Sequence, residues 1–146
     1  MTALEVLGTP LLVTDYCGLD EQCRRWARGG NCVALDFANT QIVTMRRHEP
    51  RFREQTSAYD GFAPDGMPLI WCLRLAGARL PDRVYGPIFM RQFLAGVPAE
   101  FTHYLLGGGE ACGAQLRAIF GKLNPGIRFV GAFHGKCGAD GRMEGA

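Results

Sequence analysis

The order of segments in residues 101–133 most constrains what this chain can fold into. FTHYLLGGG, residues 101–109, predicts a strand followed by a glycine loop. Residues 110–123 then predict a helix, and residues 126–133 predict another strand. Strands that are connected through a helix pair in parallel, because a tight hairpin turn joins only antiparallel neighbours. We therefore predict an α/β fold in which helices pack against parallel strands.

The residues before this region also alternate between strand-like and helix-like segments. The apolar run CVALDFA predicts a strand that is buried on both faces. Gly29-Gly30 and Gly77 predict the ends of two helices. Strands are predicted within residues 4–13, 32–38 and 61–63, and helices at 20–28, 40–48, from Pro50 onwards, 67–75 and 87–94. With 146 residues, of which 47% are apolar, we expect residues 1–146 to form a single domain with its own core.

Charge and cysteine content exclude several classes of function. The net charge of +2 lacks the basic excess of nucleic-acid binders, so we expect no nucleic-acid partner. The six cysteines form no CxxC pair, and with three scattered histidines they give no zinc spacing, so we expect no metal. The N-terminus lacks a signal-peptide pattern, and no apolar run reaches the roughly 18 residues of a membrane span. We therefore expect a cytoplasmic protein with reduced thiols.

Asp65 lies between a proline and a glycine in the stretch FAPDGMPLIW, residues 62–71. Pro-Asp-Gly is a common turn, and an aspartate before an apolar helix is a good N-cap. Ligands of α/β folds bind at the carboxyl ends of strands, and Asp65 follows a predicted strand. A carboxylate there can take a proton from a sugar hydroxyl, and Gly66 would let the backbone approach a ligand closely. The roles of cap and base are compatible.

Asn39 and Thr40 follow the predicted strand at residues 32–38. Asn39 can cap the next helix, or it can hydrogen-bond a sugar or a nucleotide at the same sheet edge as Asp65. Arginines also recur around the two middle helices, at positions 74, 79, 83 and 91. They form either a solvated face or a diphosphate site, for which the guanidinium group is well suited. Arg83 is the best candidate, since it lies in a connection beside Gly86.

The glycines at 107–109 precede a predicted helix and can cradle a phosphate. They match neither the GxGxxG pattern nor a Walker loop, so a tight strand-to-helix turn is the alternative. His134 ends the last predicted strand and receives no role.

Five stretches together resemble the WecG/TagA/CpsF glycosyltransferase family, because they occur in that family's order. PDGMP followed by PDRVYGP is the most specific part of the resemblance, which covers residues 32–135. The five stretches are ANTQIVTMRRHEPRFREQ (38–55), APDGMPLIWCLRLAG (63–77), LPDRVYGP (80–87), YLLGGG (104–109) and PGIRFVGAFHG (125–135).

This resemblance implies a Rossmann-like parallel sheet flanked by helices, and an inverting sugar transfer without a metal or other cofactor. The donor would be a UDP-sugar, with N-acetylmannosamine or its uronic acid as the typical sugar. The acceptor would be a polyprenyl-diphosphate-linked sugar, so we expect peripheral contact with the inner face of the membrane. Cell-surface polysaccharides, including exopolysaccharides, would be the products. Formation of a homo-oligomer is left open.

The resemblance also implies roles for individual residues. Asp65 corresponds to the proposed base, while Asn39 and Arg83 correspond to residues of the family's pocket. Thr40, Gly66 and Gly86 are further candidate substrate-binding residues. Such a transfer needs one base for the acceptor hydroxyl and positive charge for the UDP leaving group.

Two departures from the family pattern affect these expectations. Many members carry a threonine two residues before the asparagine, where this chain has Phe37, and the adjacent Thr40 is a candidate substitute. The family's later VGLGxPKQExW stretch does not follow, so we expect an incomplete sheet and donor pocket. The alternative function is therefore an inactive truncated fragment, or a nucleotide-binding module that depends on a partner.

Overall fold

The computed structural model of the chain describes residues 1–30 and 32–135. They fall into two units, of which the first is Met1–Met90 and the second begins at Arg91. The sequence after Gly135 is polar and rich in glycine, and the prediction that it is loosely packed lies outside the described residues. The helix α5, whose bounds are Gly86–Gly96, contains the boundary between the units.

The first unit is built on a four-stranded sheet in the order β1-β2-β4-β3. Strands β1 and β2 form an antiparallel hairpin whose turn residues, Leu7 and Gly8, both have positive φ, at 50° and 80°. Strands β2, β4 and β3 run in parallel. The strand bounds are Ala3–Val6 for β1, Thr9–Leu12 for β2, Leu35–Ala38 for β3 and Gly61–Pro64 for β4.

Four helices and a 3₁₀ turn complete the first unit before α5. The predicted bounds of α2 and α4 and the start of α3 at Pro50 are confirmed, and Gly77, predicted to end α4, follows its last turn with a φ of 94°. The first helix begins earlier than predicted, because the Asp15 side chain accepts a hydrogen bond from the Gly18 N–H and caps it. The bounds are Tyr16–Gly29 for α1, Thr40–His48 for α2, Pro50–Gln55 for α3, Thr56–Ala58 for the 3₁₀ turn and Met67–Leu75 for α4.

The core of the first unit lies between the sheet and the helices that follow its strands. All four residues of β4 are buried, and Phe62 packs with apolar residues from β2, α2 and α4. The buried side chain of Arg46 crosses the Phe62 ring and donates hydrogen bonds to the hydroxyls of Thr9 and Thr56. This arginine links α2 to β2 and to the 3₁₀ turn. Its buried N–H groups thus find hydrogen-bond partners within the first unit.

Strand β3 departs from the prediction of a long strand buried on both faces. It is shorter than predicted, and three of its four residues are half-buried. The reason is that β3 is an edge strand, which pairs with β4 alone among the described strands. An apolar run predicts a buried environment, but it does not determine which strand becomes the edge of a sheet.

The second unit contains the segment order on which the fold prediction depends. Strands β5 (Thr102–Leu106) and β6 (Arg128–Phe133) pair in parallel, with α6 (Glu110–Leu123) between them in the chain. The predicted bounds of α6 and the parallel pairing are confirmed. Across both units the structure is a mixed α/β fold with mostly parallel strands, consistent with the Rossmann-like class.

Candidate functional site

The carboxyl ends of β3 and β4 bring Asn39 and Asp65 to one edge of the first unit's sheet. Ala38 and Pro64 are partners in the strand register, so the residues that follow them leave the sheet at the same level. The backbone N–H of Asp65 also donates to the carbonyl of Ala38, at 2.9 Å. This is the edge of a parallel sheet at which α/β proteins bind ligands.

Asp65 does not cap the helix that follows it, so that interpretation is wrong. The N-cap of α4 is Gly66, and no side chain makes a capping hydrogen bond there. The half-buried Asp65 carboxylate instead accepts a hydrogen bond from the backbone N–H of Gly86, with 3.3 Å between Oδ2 and N. A carboxylate with two oxygens has further lone pairs that can accept a proton or a hydrogen bond from a substrate hydroxyl.

Three consecutive backbone N–H groups fix residues 83–86, which we call segment 83–86. Val84 donates to the carbonyl of Pro64 at 2.9 Å, and Tyr85 donates to the hydroxyl of Tyr16 at 3.0 Å. Gly86 makes the third bond, to Asp65. Segment 83–86 is thereby attached to the end of β4, to α1 and to the candidate base. The role of Tyr16 was not predicted, because nothing in its local sequence indicates a partner so distant in the chain.

The side chain of Arg83 is placed by an aromatic neighbour within segment 83–86. Its guanidinium carbon lies 5.0 Å from the centre of the Tyr85 ring. Its own backbone N–H donates to the carboxylate of Asp82 at 2.7 Å. Stacking on an aromatic face leaves the N–H donors at the edge of a guanidinium group available to an anion.

Gly86 lies in close contact with the side chain of Phe37. A Cβ atom added there would lie 3.1 Å from Cγ of Phe37 and 3.3 Å from its Cβ. The Phe37 ring also packs against Phe89, with 5.4 Å between ring centres. Phe37 is therefore a packing residue beneath segment 83–86 and supplies no hydroxyl to the site.

Thr40 and Gly66 are brought together at the start of α2 and α4. A Cβ atom at position 66 would lie 3.7 Å from Oγ1 of Thr40. Asn39 caps α2, because its Oδ1 accepts a hydrogen bond from the N–H of Ile42 at 3.1 Å. This bond engages the oxygen of the Asn39 amide, whose nitrogen carries two donors suited to a sugar or phosphate oxygen. Both interpretations of Asn39 are thus compatible with its geometry.

Asp36 adds a second carboxylate near the edge and was not predicted as a site residue. Burial raises the pKa of Asp36, and the negative charge of Asp65 raises it further. A hydrogen bond from the Phe37 backbone and the positive charge of Arg46 oppose these effects. The available signal was a single acid within the apolar run CVALDFA, which is an unusual place for a carboxylate.

The arginines predicted as one group have separate environments. Arg74 donates to the carbonyls of Leu80 and Pro81 at 2.8 and 2.7 Å, so it stabilises the connection after α4. Arg79 is exposed and, together with Arg25 of α1, lines an open cavity of about 460 Å³. Arg91 is exposed and begins the second unit.

The glycine loop of the second unit borders a separate cavity of about 450 Å³. Gly107 and Gly108 have positive φ values of 89° and 73°, as expected for a tight strand-to-helix turn. Arg117 and His134 line this cavity, and so does Glu110, whose carboxylate in the first turn of α6 opposes anion binding. The loop therefore fits the tight-turn interpretation. The guanidinium group of Arg117 lines the cavity and could contact an anionic ligand there.

The described residues, 1–30 and 32–135, contain neither a metal-binding cluster nor a membrane-spanning helix. They contain no group of three or more histidine, cysteine or acidic side chains that could hold a metal ion. None of their helices has both the length and the apolar character needed to span a bilayer.

Most of the chain matches a known protein family. Residues 4–144 match the profile described as the glycosyl transferase WecG/TagA/CpsF family. No protein in the curated collection of characterised sequences matches the chain.

Proposed function

The chain belongs to the WecG/TagA/CpsF family of glycosyl transferases, which act in cell-surface polysaccharide synthesis, and we propose that it transfers a sugar from a UDP-sugar to a polyprenyl-diphosphate-linked acceptor. The sugar is of the N-acetylmannosamine, mannosaminuronate or related hexose type. The reaction inverts the anomeric centre, takes place at the cytoplasmic face of the membrane and needs no further cofactor. The observation that carries this proposal is the carboxylate of Asp65, which is placed at a strand end without capping a helix.

In the proposed reaction Asp65 acts as general base. The acceptor hydroxyl oxygen attacks the anomeric carbon, and the hydroxyl proton passes to the Asp65 carboxylate. The bond from the anomeric carbon to the UDP oxygen breaks with both electrons leaving on the diphosphate. Arg83 supplies positive charge for that leaving group, and its stacking on Tyr85 supports this role because the guanidinium edge stays free to meet an anion.

The remaining residues position the reactants. Asn39 and Thr40 offer an amide nitrogen and a hydroxyl at the edge that carries Asp65, and Gly66 keeps the space beside Thr40 open. Gly86 donates its backbone N–H to Asp65, and this bond of 3.3 Å favours one orientation of the carboxylate. The orientation matters because a general base must lie within hydrogen-bond distance of the proton it takes.

The decisive experiment is a transfer assay with the Asp65→Asn variant. We expect transfer from a UDP-sugar to a short-chain lipid diphosphate acceptor to fall by about 10²–10⁴-fold, since a positioned base contributes that much. Glu54→Gln, which removes an exposed carboxylate from α3, is the matched control and should transfer at the parent rate. Equal rates for Asp65→Asn and the parent would eliminate Asp65 as the base.

A nucleotide-binding module is the second candidate, because the cavity beside the glycine loop lies in the other unit. Calorimetric titration with UDP separates the two possibilities. Loss of binding in Arg83→Ala, but not in Arg117→Ala, supports the transferase site. The reverse pattern, without transfer by the parent chain, supports a nucleotide-binding module. Arg51→Ala, an exposed arginine of α3, is the control for a general loss of charge.

A further inference from the structure

Helix α4 exposes an apolar face on the side opposite to its core residues. Leu69, Ile70 and Leu73 are buried, whereas 56% of Trp71 and 90% of Leu75 are exposed. Trp71 and Leu75 are one helical turn apart and therefore neighbours on the surface. The exposed face consists of Pro68, Trp71, Cys72 and Leu75, with the spacing of a single helical stripe. Such a stripe differs from the scattered apolar residues that occur on most protein surfaces.

Helix α4 and the connection after it carry a net positive charge. Residues 67–85 contain three arginines, Arg74, Arg79 and Arg83, and one acidic residue, Asp82. The guanidinium group of Arg74 is held against the backbone of the connection after α4, and Arg79 is exposed in that same connection. A basic edge beside an apolar stripe attracts an anionic surface. Two copies of the same face would instead bring like charges together.

The exposed face of α4 lies close to the candidate base, Asp65. Helix α4 starts directly after Gly66, and a helix rises about 1.5 Å per residue. Trp71 therefore lies about 8 Å from Gly66 along the axis of the helix. A surface that held Trp71 and Leu75 would lie within reach of Asp65, where a lipid-linked substrate has to present its sugar.

We propose that the α4 face is a membrane-contact surface that rests on anionic lipid. Trp71 and Leu75 enter the boundary between head groups and acyl chains, as the apolar residues of interfacial helices do. Arg79 remains among the lipid phosphates, a position typical of basic residues beside such a stripe. The choice of a membrane as the partner rests on the proposed function, whose acceptor carries a polyprenyl chain.

Tryptophan fluorescence tests this proposal, because the chain has only two tryptophans, Trp26 and Trp71. In the Trp26→Phe variant, the emission of Trp71 should shift to the blue with vesicles of equimolar phosphatidylcholine and phosphatidylglycerol. Lipids brominated on their acyl chains should quench that emission. The shift should weaken as salt is added or phosphatidylglycerol is omitted, since part of the attraction is electrostatic. An emission maximum that stays constant with these vesicles would overturn the proposal.

Leu75→Glu tests the same face without disturbing the core, since Leu75 is 90% exposed. Vesicle affinity should fall by about tenfold or more, because the variant loses a buried apolar side chain and gains a repelled charge. Leu123→Glu changes a half-exposed leucine of α6 and should keep the parent affinity. Equal vesicle affinity of Leu75→Glu and the parent would overturn the proposal. So would a concentration-dependent dimer that Leu75→Glu dissociates, since a second copy would then cover the face.

Transfer assays keep this inference separate from the proposed function. With a water-soluble short-chain acceptor, Leu75→Glu should transfer at the parent rate. With an acceptor embedded in vesicles, it should be slower by the factor lost in vesicle affinity. A parent chain that transfers to neither acceptor would contradict the proposed function, while its vesicle binding would still decide the inference.

Discussion

At the scale of single residues, the site contains a glycine that packs closely against an aromatic ring. The N–H of Gly86 orients the Asp65 carboxylate, and Phe37 lies too close to Gly86 for a side chain to fit without movement. The glycine was predicted for its place beside Arg83, but its contact with Phe37 was not, because residues 37 and 86 are distant in sequence. Local patterns predict turns and caps, whereas contacts of this kind depend on how the strands and helices assemble.

Replacing Gly86 with alanine should therefore reduce both stability and transfer. The added Cβ would displace Phe37 or segment 83–86, at a cost of about 1 kcal/mol or more in the free energy of unfolding. The same movement lengthens the bond to Asp65 and lowers the transfer rate. Urea unfolding and the transfer assay measure the two effects. Gly121→Ala in α6, where an added Cβ meets no atom within 4 Å, should keep the rate and slightly stabilise the chain.

Asp36 gives a second prediction at this scale, which concerns pH. Burial raises its pKa above the ordinary value of 3.8, so the folded chain binds the proton more tightly than the unfolded chain. The stability associated with this group is then present in acid and is lost as pH rises through the raised pKa. Asp36→Asn should consequently be more stable than the parent at neutral pH, with a difference that shrinks toward about pH 4. A difference that stays constant over this range in urea unfolding would show that ionisation of Asp36 costs the fold nothing.

At the scale of elements, the bounds of most helices were predicted well from the sequence, whereas the side chains that cap them were predicted less well. The bounds of α2, α4 and α6 follow from apolar spacing and from the proline and glycine at their ends. The start of α1 was missed because Gly18 in its first turn disfavours a helix, while the Asp15 cap offsets that cost. The predicted cap at Asp65 failed for the opposite reason, since a contact with a distant residue replaced the local one.

The start of α2 allows the two roles of Asn39 to be separated. Asn39→Ala removes the cap and should cost about 1 kcal/mol of stability. Asn39→Asp keeps an oxygen for the Ile42 N–H, so its stability should stay near that of the parent, but it removes both amide donors. Its transfer rate should nevertheless fall. Thermal unfolding beside the transfer assay decides the matter, and a normal rate for Asn39→Asp would leave Asn39 with the capping role alone.

Tyr16 provides the corresponding test for segment 83–86. Tyr16→Phe removes the hydroxyl that accepts the Tyr85 N–H, at a cost of about 1 kcal/mol. Because Arg83 and Gly86 belong to the same segment, UDP affinity should fall together with the transfer rate. Tyr59→Phe, at an exposed tyrosine of the first unit, should change neither quantity. Unchanged UDP affinity in Tyr16→Phe would show that the segment keeps its position without α1.

At the scale of the whole chain, the α/β class followed from the order of segments, and the family followed from a few short motifs. The prediction of one domain across residues 1–146 stays a prediction, although the described residues cluster into two units. The strand at the edge of the sheet and the exposed face of α4 were beyond sequence reasoning. Apolar residues in strands and helices are expected to be buried, and Trp71 and Leu75 depart from that rule.

Segment 83–86 is held by three hydrogen bonds, and the proposed reaction changes the strength of only one of them. The carbonyl of Pro64 and the hydroxyl of Tyr16 stay neutral throughout the proposed reaction, so their bonds to the segment do not change. Asp65 becomes neutral when it takes the acceptor proton, and a neutral carboxyl accepts an N–H bond more weakly than a carboxylate does. The hydrogen bond from Gly86 to Asp65 is therefore stronger before transfer than directly after it. A catalytic base held in this way would loosen the arginine-bearing segment once per turnover, at the moment when the diphosphate product has to leave.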